Sequence, residues 1–308
     1  MAIKKVKTKN HEEWLQLRSQ YIGGSDAAAV VGMNPFSSPY ALWAEKTGKK
    51  PGFSGNLATE VGTYLEEFVA QKFAQETGKK VRKCNYSFLN SQYPFAIANI
   101  DREIVGEDAG LEIKTTDSLN LKKFKNGEYP ANYYCQCVHY LAVTGKKRWY
   151  LAVLIGNKEF KRFTIERDEA EIAALMGAEA ELWECIENDT PPEIDGSKAT
   201  ADTLTTIYAN SNDESTVDLM GYKNDLAMYS ALSKSIKELQ AQQDEAANRI
   251  KAFMGESSGG VCDDFKVSWK TASRRTFDSK RFAKENPDID ISDYYNESSY
   301  RTFKVTEN

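Results

Sequence analysis

The chain is poor in histidine and lacks a metal-type spacing of cysteines, two features on which many hydrolases and metal sites depend. Its 308 residues include two histidines, His11 and His139. We therefore do not expect a mechanism built on an imidazole base, and we interpret His139 as a packed helix residue. None of the five cysteines is spaced from another in a zinc-type pattern. This arrangement favours reduced thiols in a cytoplasmic protein.

Long hydrophobic runs and a strong basic character are also absent. No stretch is long and apolar enough to span a bilayer, and no apolar signal region follows the basic residues 1–10. We expect a cytoplasmic protein without membrane contact. The net charge of −5 argues against a generally basic nucleic-acid-binding surface, although short basic clusters occur at 79–83, 122–125 and 146–148.

The most informative motif is NIDREIVGEDAGLEIKTT at 99–116. We predict strands over 97–102 and 110–115, joined by a short acidic turn that contains glycine. Side chains alternate between the two faces of a strand, so Glu112 and Lys114 share one face. Asp101, at the end of the preceding strand, can then lie beside Glu112.

Two carboxylates and one ammonium group at a single point favour metal-assisted hydrolysis of a phosphodiester. Mg²⁺ binds through one or two carboxylates together with water and phosphate oxygens. A neighbouring lysine can position or activate the attacking water, or stabilise charge on phosphorus. The alternative is an exposed hairpin with a cross-strand ion pair, which is common on sheets. These three residues alone do not decide between the two interpretations.

Two predicted helices add polar residues to this picture. Apolar residues recur at helical spacing over 56–78, and one glutamate on such a helix can reach a metal centre. We assign that role to Glu66 and interpret Glu67 as solvated. The second helix, over 131–145, is largely apolar and carries Gln136. A buried glutamine needs partners for both ends of its amide, and water or phosphate at a metal site would supply one.

The sequence IGGSD at 22–26 indicates a flexible turn ahead of a short apolar helix over 27–31. Ser25 or Asp26 suits the N-cap position of that helix. Free N–H groups at the start of a helix attract phosphate, and Arg18 upstream adds a positive charge that could fold over the same place. An ordinary capped helix is the alternative interpretation.

In their order along the chain, these motifs resemble the phage lambda exonuclease and YqaJ-type viral recombinase family, whose nucleases share the PD-(D/E)xK core. The resemblance covers residues 11–185 and rests on LRSQYIGGSDAAAVVGMNPF, GTYLEEFVA, NID with LEIK, and YYCQCVHYLAVTG. Each motif alone is unspecific, whereas four in register form a specific signature. The chain departs from the family at Val138, where a second glutamine is frequent, and at Ile100, where the motif's name has proline.

The resemblance implies an α+β fold with a central mixed sheet flanked by helices. It also implies a Mg²⁺-dependent nuclease in which Mn²⁺ can substitute. The implied metal ligands are Asp101, Glu112, the backbone carbonyl of Ile113, and Glu66 for a second ion. The remaining implied site residues are Lys114 as catalytic lysine, Gln136 as orienting group, and Arg18 with Ser25 as ligands of the 5′-phosphate.

The activity implied is 5′→3′ exonucleolytic resection of double-stranded DNA ends, which leaves 3′ single-stranded tails for a single-strand annealing recombinase in a bacterial host cell. Because lambda exonuclease is a toroidal trimer, the resemblance also implies a homo-oligomer. Lys122, Lys123 and Lys125 follow the catalytic strand and form the expected DNA-facing patch, with a solvated loop as the alternative. The same chemistry would serve an endonuclease. A non-catalytic module that binds DNA ends or loads a recombinase is the competing interpretation.

The composition changes after the helix that ends near residue 190. We predict a nuclease core over 1–195, a linker over 196–220 that is rich in Thr, Asn, Ser and Asp, and a helical and β appendage over 221–308. Within the appendage, a long helix over 221–255 carries apolar residues alternately three and four positions apart, which indicates a coiled-coil or helical-hairpin seam. A β-hairpin or an edge strand at 259–270, a short helix at 277–286 and a strand at 300–305 complete the prediction.

Overall fold

The chain divides into two compact units, Met1–Tyr208 and Ala209–Asn308. The computed structural model describes residues 2–212, 214–289, 291–296 and 300–307. All the residues predicted to form the functional site belong to the first unit.

The first unit combines strands and helices along its whole length. Its strands are β1 (Ile3–Val6), β2 (Ile22–Gly23), β3 (Val81–Lys83), β4 (Ser87–Asn90), β5 (Tyr93–Ala98), β6 (Arg102–Ile104), β7 (Ala109–Thr116), β8 (Arg148–Ile155) and β9 (Glu159–Glu166). Its helices are α1 (His11–Ser19), α2 (Ala27–Val30), α3 (Pro39–Lys46), α4 (Leu57–Thr77), α5 (Ala131–Thr144), α6 (Glu169–Glu187) and α7 (Lys198–Ile207).

The central sheet is mixed, with the strand order β3-β6-β7-β8-β9. Strands β7 and β8 are parallel over their full length, while the other neighbours in this sheet are antiparallel. A second sheet has the order β1-β4-β5-β2, in which β2 and β5 are parallel. Because helices cover these sheets, the predicted α+β class with a mixed sheet flanked by helices is confirmed.

Strand β7 separates two faces of the core, as its alternation predicts. Leu111 and Ile113 are buried in a cluster with Val69 and Phe73 of α4. The other face of β7 presents Glu112 to Gln136 of α5, so this carboxylate lies on the side of the strand opposite α4.

The two helices expected to carry site residues begin and end close to the predicted positions. Helix α4 starts with a capping box in which the side chains of Asn56 and Thr59 each bond the other's backbone N–H. It ends at Gly78, whose φ of 70° is a left-handed conformation that favours glycine. Helix α5 ends in the same way at Gly145, with a φ of 69°.

Two local predictions differ from the structure. The strand expected over 97–102 is interrupted, so that Asp101 lies in the connection between β5 and β6. Asp26 occupies the N-cap position of α2 but makes no side-chain cap hydrogen bond. Its carboxylate instead accepts from the amide of Gly23 at 3.0 Å and pairs with Lys46 at 3.2 Å, because it closes the turn and ties it to α3.

The first half of the expected linker is part of the first unit. Helix α7 packs against α3, and the buried hydroxyl groups of Thr200 and Ser38 are 2.7 Å apart. Thr203 is also fully buried. The threonine-rich composition suggested a solvated linker, but these hydroxyl groups are satisfied by hydrogen bonds, so a polar helix can pack in this place.

The second unit contains α8 (Lys223–Met254), the antiparallel hairpin of β10 (Gly259–Cys262) and β11 (Phe265–Ser268), and α9 (Ser279–Glu285). The strand expected at 300–305 is not formed within the described residues 300–307. Phe303 instead packs edge-on against Tyr229 of α8 with ring centroids 5.5 Å apart. In the described ranges, no helix is long and apolar enough to cross a membrane.

Candidate active site

The structure brings the predicted catalytic set together at the junction of β6 and β7. The amide of Ile113 donates to Asp101 Oδ2 at 2.8 Å, which fixes this carboxylate against the neighbouring strand. Lys114 Nζ lies 2.8 Å from Glu112 Oε1. The interpretation as an exposed hairpin does not fit, because Glu112 is only 2% exposed.

Glu112 is held on one oxygen and unpartnered on the other. Its Oε1 accepts from Gln136 Nε2 of α5 at 2.8 Å, in addition to the contact with Lys114. Its Oε2 is buried and has no hydrogen-bond partner among the described residues. Buried polar atoms are normally hydrogen-bonded, so this carboxylate oxygen is free to accept a cation or a hydrogen-bond donor.

The charges at this site are mutually dependent. Burial raises the pKa of Asp101 well above its ordinary value, and the adjacent carboxylate of Glu112 raises it further. Burial alone would lower the pKa of Lys114, but the carboxylates of Glu112 and Asp101 outweigh it and leave that pKa raised. The Lys114 ammonium thus offsets part of the repulsion between the two carboxylates.

Glu66 lies at the site but is bound by a protein cation. The guanidinium of Arg102, whose side chain is only 3% exposed, donates to Glu66 through Nη1 and pairs with Glu67 through Nη2 at 2.9 Å. Glu67 is exposed, as expected, yet hydrogen bonds from Gln71 and then Arg102 lower its pKa. Because Arg102 directly follows Asp101 and bonds α4, it determines where Glu66 is held.

Arg18 and Ser25 also meet, as predicted from the turn sequence. Arg18 Nη2 donates to Ser25 Oγ at 2.5 Å, and its guanidinium lies 5.4 Å from the ring centroid of Trp14. Trp14 Nε1 in turn donates to Asn99 Oδ1 at 3.0 Å. Asn99 stands two residues before Asp101, so the arginine–serine pair and the carboxylates are joined by a short chain of contacts.

Tyr140 is, like Arg102, a residue of this site that the sequence analysis did not predict. Its hydroxyl accepts from Gln136 Nε2 at 2.8 Å and donates to the carbonyl of Asn99 at 2.9 Å. A Cβ atom on Gly24 would lie 2.5 Å from the Tyr140 ring, so glycine is required there by close approach. The available signal was the spacing of four residues between Gln136 and Tyr140, which places both on one helix face.

The predicted basic patch is exposed and anchored beside the site. Lys122, Lys123 and Lys125 are exposed on an irregular segment that includes 3₁₀ turns, whereas Phe124 is 2% exposed. The Phe124 ring packs near Tyr133, at 6.4 Å between centroids. Lys114 Nζ lies 5.5 Å from the ring centroid of Tyr133. The patch is therefore linked to the catalytic strand through one aromatic contact.

A divalent cation suits the donor set at this point. Within the described residues, no three His, Cys, Asp or Glu side chains are arranged to hold a metal ion by themselves. Mg²⁺, however, typically takes only one or two protein carboxylates and completes its shell with water and phosphate. Asp101 and Glu112 provide two, and the partnerless Oε2 of Glu112 is an available oxygen ligand. Ile113, the residue expected to add a carbonyl ligand, contacts Asp101 through its amide.

Comparison with known proteins decides the family. The YqaJ protein of Bacillus subtilis (strain 168) is 36% identical over 303 residues, which cover 97% of this chain and 95% of the relative. The family model described as the YqaJ-like viral recombinase domain matches residues 13–147. The chain belongs to the YqaJ family. The matched segment of the YqaJ domain contains Arg18, Glu66, Asp101, Glu112 and Gln136.

A solved structure has the same fold as the core of this chain. An alkaline exonuclease from Laribacter hongkongensis, LHK-Exo, superimposes with a TM-score of 0.50 at 21% sequence identity. The match covers 58% of this chain and 93% of the exonuclease. It confirms the expected α+β fold for the core of this member of the YqaJ family.

Proposed function

We propose that this member of the YqaJ family is a Mg²⁺-dependent 5′→3′ exonuclease. It resects double-stranded DNA ends and leaves 3′ single-stranded tails for recombination by single-strand annealing. The carrying observation is the cluster formed by the buried Glu112 with the half-buried Asp101 and Lys114, with Glu112 Oε2 unpartnered in the described structure. A module that only bound DNA would gain nothing from two adjacent carboxylates placed where phosphate must approach.

Family and fold support the proposal from a different direction. The family model is named for viral recombinases, which connects the chain with the processing of DNA for recombination. The fold is shared with an alkaline exonuclease. The same core chemistry also suits endonucleases. The proposed 5′→3′ polarity of cleavage and the proposed requirement for a DNA end therefore rest on the sequence motifs and on the arrangement of Arg18 and Ser25.

The carboxylates and Lys114 act at the scissile phosphate. Asp101, Glu112 and the carbonyl of Ile113 would hold the first ion, and Glu66 would support a second. Bound Mg²⁺ supplies Lewis-acid polarisation of the phosphoryl oxygens. The ammonium of Lys114, 2.8 Å from Glu112, would position or activate the attacking water and stabilise charge that develops on the phosphate.

Gln136 and the turn at Ser25 orient the two reactants. Gln136 Nε2 donates to Glu112 and to Tyr140, so both amide protons are committed. Its Oε1 is left as the acceptor that would orient the attacking water. Arg18 and Ser25, joined at 2.5 Å, would hold the 5′-terminal phosphate and thereby limit the enzyme to ends.

The wider setting is part of the same proposal. Lys122, Lys123 and Lys125 would contact the DNA backbone, since phosphate contacts dominate DNA affinity. We propose a homo-oligomer, a trimer by family resemblance, that acts in the cytoplasm of a bacterial host cell. Its product would be taken over by a single-strand annealing recombinase.

The test uses linear duplex DNA labelled separately at its 5′ and 3′ ends, with closed circular DNA in parallel. Wild type should release the 5′ label early, only with Mg²⁺, and leave circles intact. Lys114→Ala should lose cleavage but still bind ends. Lys198→Ala, which removes an exposed lysine paired with Asp202, should match wild type.

Other results would contradict the proposal in recognisable ways. Nicked or linearised circles would identify an endonuclease. Tight binding to ends without any cleavage by wild type would identify a non-catalytic module. Full activity of Lys114→Ala would refute the catalytic assignment of that residue.

A further inference from the structure

Helix α8 is long, amphipathic and unusually exposed. It runs for 32 residues, none of which is buried. Helices in proteins are stabilised mainly by packing of an apolar face, so an uncovered apolar face of this length needs an explanation. The large apolar side chains on that face, with their exposed fractions, are Leu232 (55%), Ile236 (65%), Leu239 (63%), Ile250 (47%) and Phe253 (93%).

The spacing of this face is that of a heptad repeat. Ile236, Gln243 and Ile250 recur every seven residues and take the a positions, while Leu232, Leu239, Ala246 and Phe253 take the d positions. A strict period of seven favours a left-handed supercoil with a partner helix. β-Branched residues at a with leucine at d favour parallel pairs of helices.

The single polar residue of the seam indicates what the partner is. A polar side chain at an a position sets the register of a coiled coil, and here it is Gln243. In a parallel, in-register pair of identical helices, Gln243 faces its own copy. Each carboxamide then offers both a donor and an acceptor to the other. In the free helix its Oε1 accepts only from the neighbouring Gln240, at 3.1 Å.

The side chains that flank the apolar seam do not oppose pairing of α8 with a second copy of itself. The e positions are Ser233, Gln240 and Ala247, and the g positions are Ser235, Gln242 and Arg249. Charges at e and g usually select the partner of a coiled coil, so a helix without opposed like charges can pair with itself. The one exception, Arg249, has a carboxylate partner, Glu245, on its own helix.

The apolar area is sufficient for a specific contact. Burial of five large side chains on each of two helices removes on the order of 1,000 Å² from water. That area is about the size at which specific protein interfaces begin. The seam starts after Tyr229, since the Phe303 ring lies 5.5 Å from it and Glu307 bonds Lys234 at 2.8 Å.

We propose that α8 pairs with α8 of a second copy of this chain as a parallel, in-register, two-stranded coiled coil over residues 232–253. This inference does not depend on the proposed nuclease activity. It concerns an interface in the second unit and is separate from any assembly made through the first.

Cysteine cross-linking in the full-length chain tests the register. In a Cys262→Ser background, which removes the exposed native thiol, Gln243→Cys should give a disulfide-linked dimer under mild oxidation. Ala241→Cys, at the outward f position of the same helix, should not. Absence of the dimer with Gln243→Cys, or equal cross-linking at both positions, would overturn the proposal.

Light scattering after size-exclusion chromatography tests the contact itself. Leu239→Asp should have half the mass of wild type, because a charge at a d position cannot be buried in the seam. Lys237→Asp, on the outer face, should keep the wild-type mass, and circular dichroism should show both variants folded. A folded Leu239→Asp protein with unchanged mass would refute the proposed interface.

Discussion

Replacement of Gly24 by alanine should disturb the active site from a distance, because this glycine supports Tyr140. A Cβ at Gly24 would lie 2.5 Å from Cε1 and 2.8 Å from Cζ of the Tyr140 ring. These separations are about 1 Å shorter than the ordinary contact between carbon atoms. The tyrosine is buried and packs against Trp149 with ring centroids 5.1 Å apart, so it has little room to move.

The expected magnitude follows from overpacking and from the hydrogen bonds of Tyr140. Forced insertion of a methyl group into a packed interior costs about 1–3 kcal/mol. A shift of the ring also pulls its hydroxyl from Gln136 Nε2 and the carbonyl of Asn99, at 2.8 and 2.9 Å. Because misplacement of a catalytic group by about 1 Å can lower a rate by roughly 100-fold, we expect kcat to fall by roughly 10- to 100-fold.

The neighbouring glycine provides a matched control. A Cβ at Gly23 would meet no atom closer than Asp26 Oδ2, at 3.7 Å, which is an ordinary contact. Gly23→Ala and Gly24→Ala change the entropy of the unfolded chain equally, so their difference reports the clash. Tyr140→Phe keeps the ring and removes the hydroxyl, so it should lower kcat without overpacking.

The assays are urea denaturation and the cleavage of end-labelled duplex DNA by each variant. Gly24→Ala should unfold at a lower urea concentration than Gly23→Ala and cleave more slowly at saturating DNA. If both variants unfold and cleave alike, Tyr140 does not transmit the position of the turn to Gln136. If only stability falls, the tyrosine packs there without positioning the glutamine.

Three further predictions concern the cap of α4, the buried His139 and the metal. Asn56→Ala removes one half of the capping box and should destabilise the first turn of α4 by about 1 kcal/mol, so its amide hydrogens should exchange roughly fivefold faster. His139 contacts Glu179 Oε1 at 2.8 Å and the carbonyl of Ile97 at 3.0 Å. Burial by itself would lower the pKa of His139, but the effect of these two acceptors is larger, so the pKa is raised above 6.5. The folded state then binds the proton more tightly than the unfolded state, so the free energy of unfolding should decrease as the pH rises above about 6.5. Chelation of divalent cations should abolish cleavage, addition of Mg²⁺ should restore it, and Asp101→Asn should stay inactive at every Mg²⁺ concentration.

Each of these predictions has its own control. Thr59→Ser keeps the hydroxyl of the capping box and should retain wild-type hydrogen exchange, so exchange as fast as that of Asn56→Ala would count against the cap. His139→Gln should lose the alkaline decrease in stability, and a wild type with no such decrease would contradict a bound proton. Cleavage that persists after chelation would refute the metal requirement.

Most of the helices and strands that present the site residues were predictable from local patterns in the sequence. Helices α4 and α5 were predictable because helical periodicity and the glycines that end them act over a few residues. The convergence of Asp101, Glu112 and Lys114 followed from strand alternation and a short connection. The break in the strand before Asp101 was missed, because it depends on the interruption of pairing between neighbouring strands.

Contacts between distant segments were decided only by the tertiary structure. The sequence predicts Arg102 only as a strand residue. In the structure its guanidinium forms an ion pair with Glu66 of α4. Thr200 lies in the segment predicted as a linker, but its side chain is buried against Ser38.

The sequence by itself determined the types of the candidate catalytic residues, their order and the local elements that present them, because period and capping are short-range properties of a chain. Only the tertiary structure decided that Gly24 touches Tyr140, that Tyr140 fixes Gln136, and that Glu112 keeps one oxygen without a partner. Those contacts join segments far apart along the chain, and their distances depend on how α5 packs over the sheet. No local pattern encodes that packing.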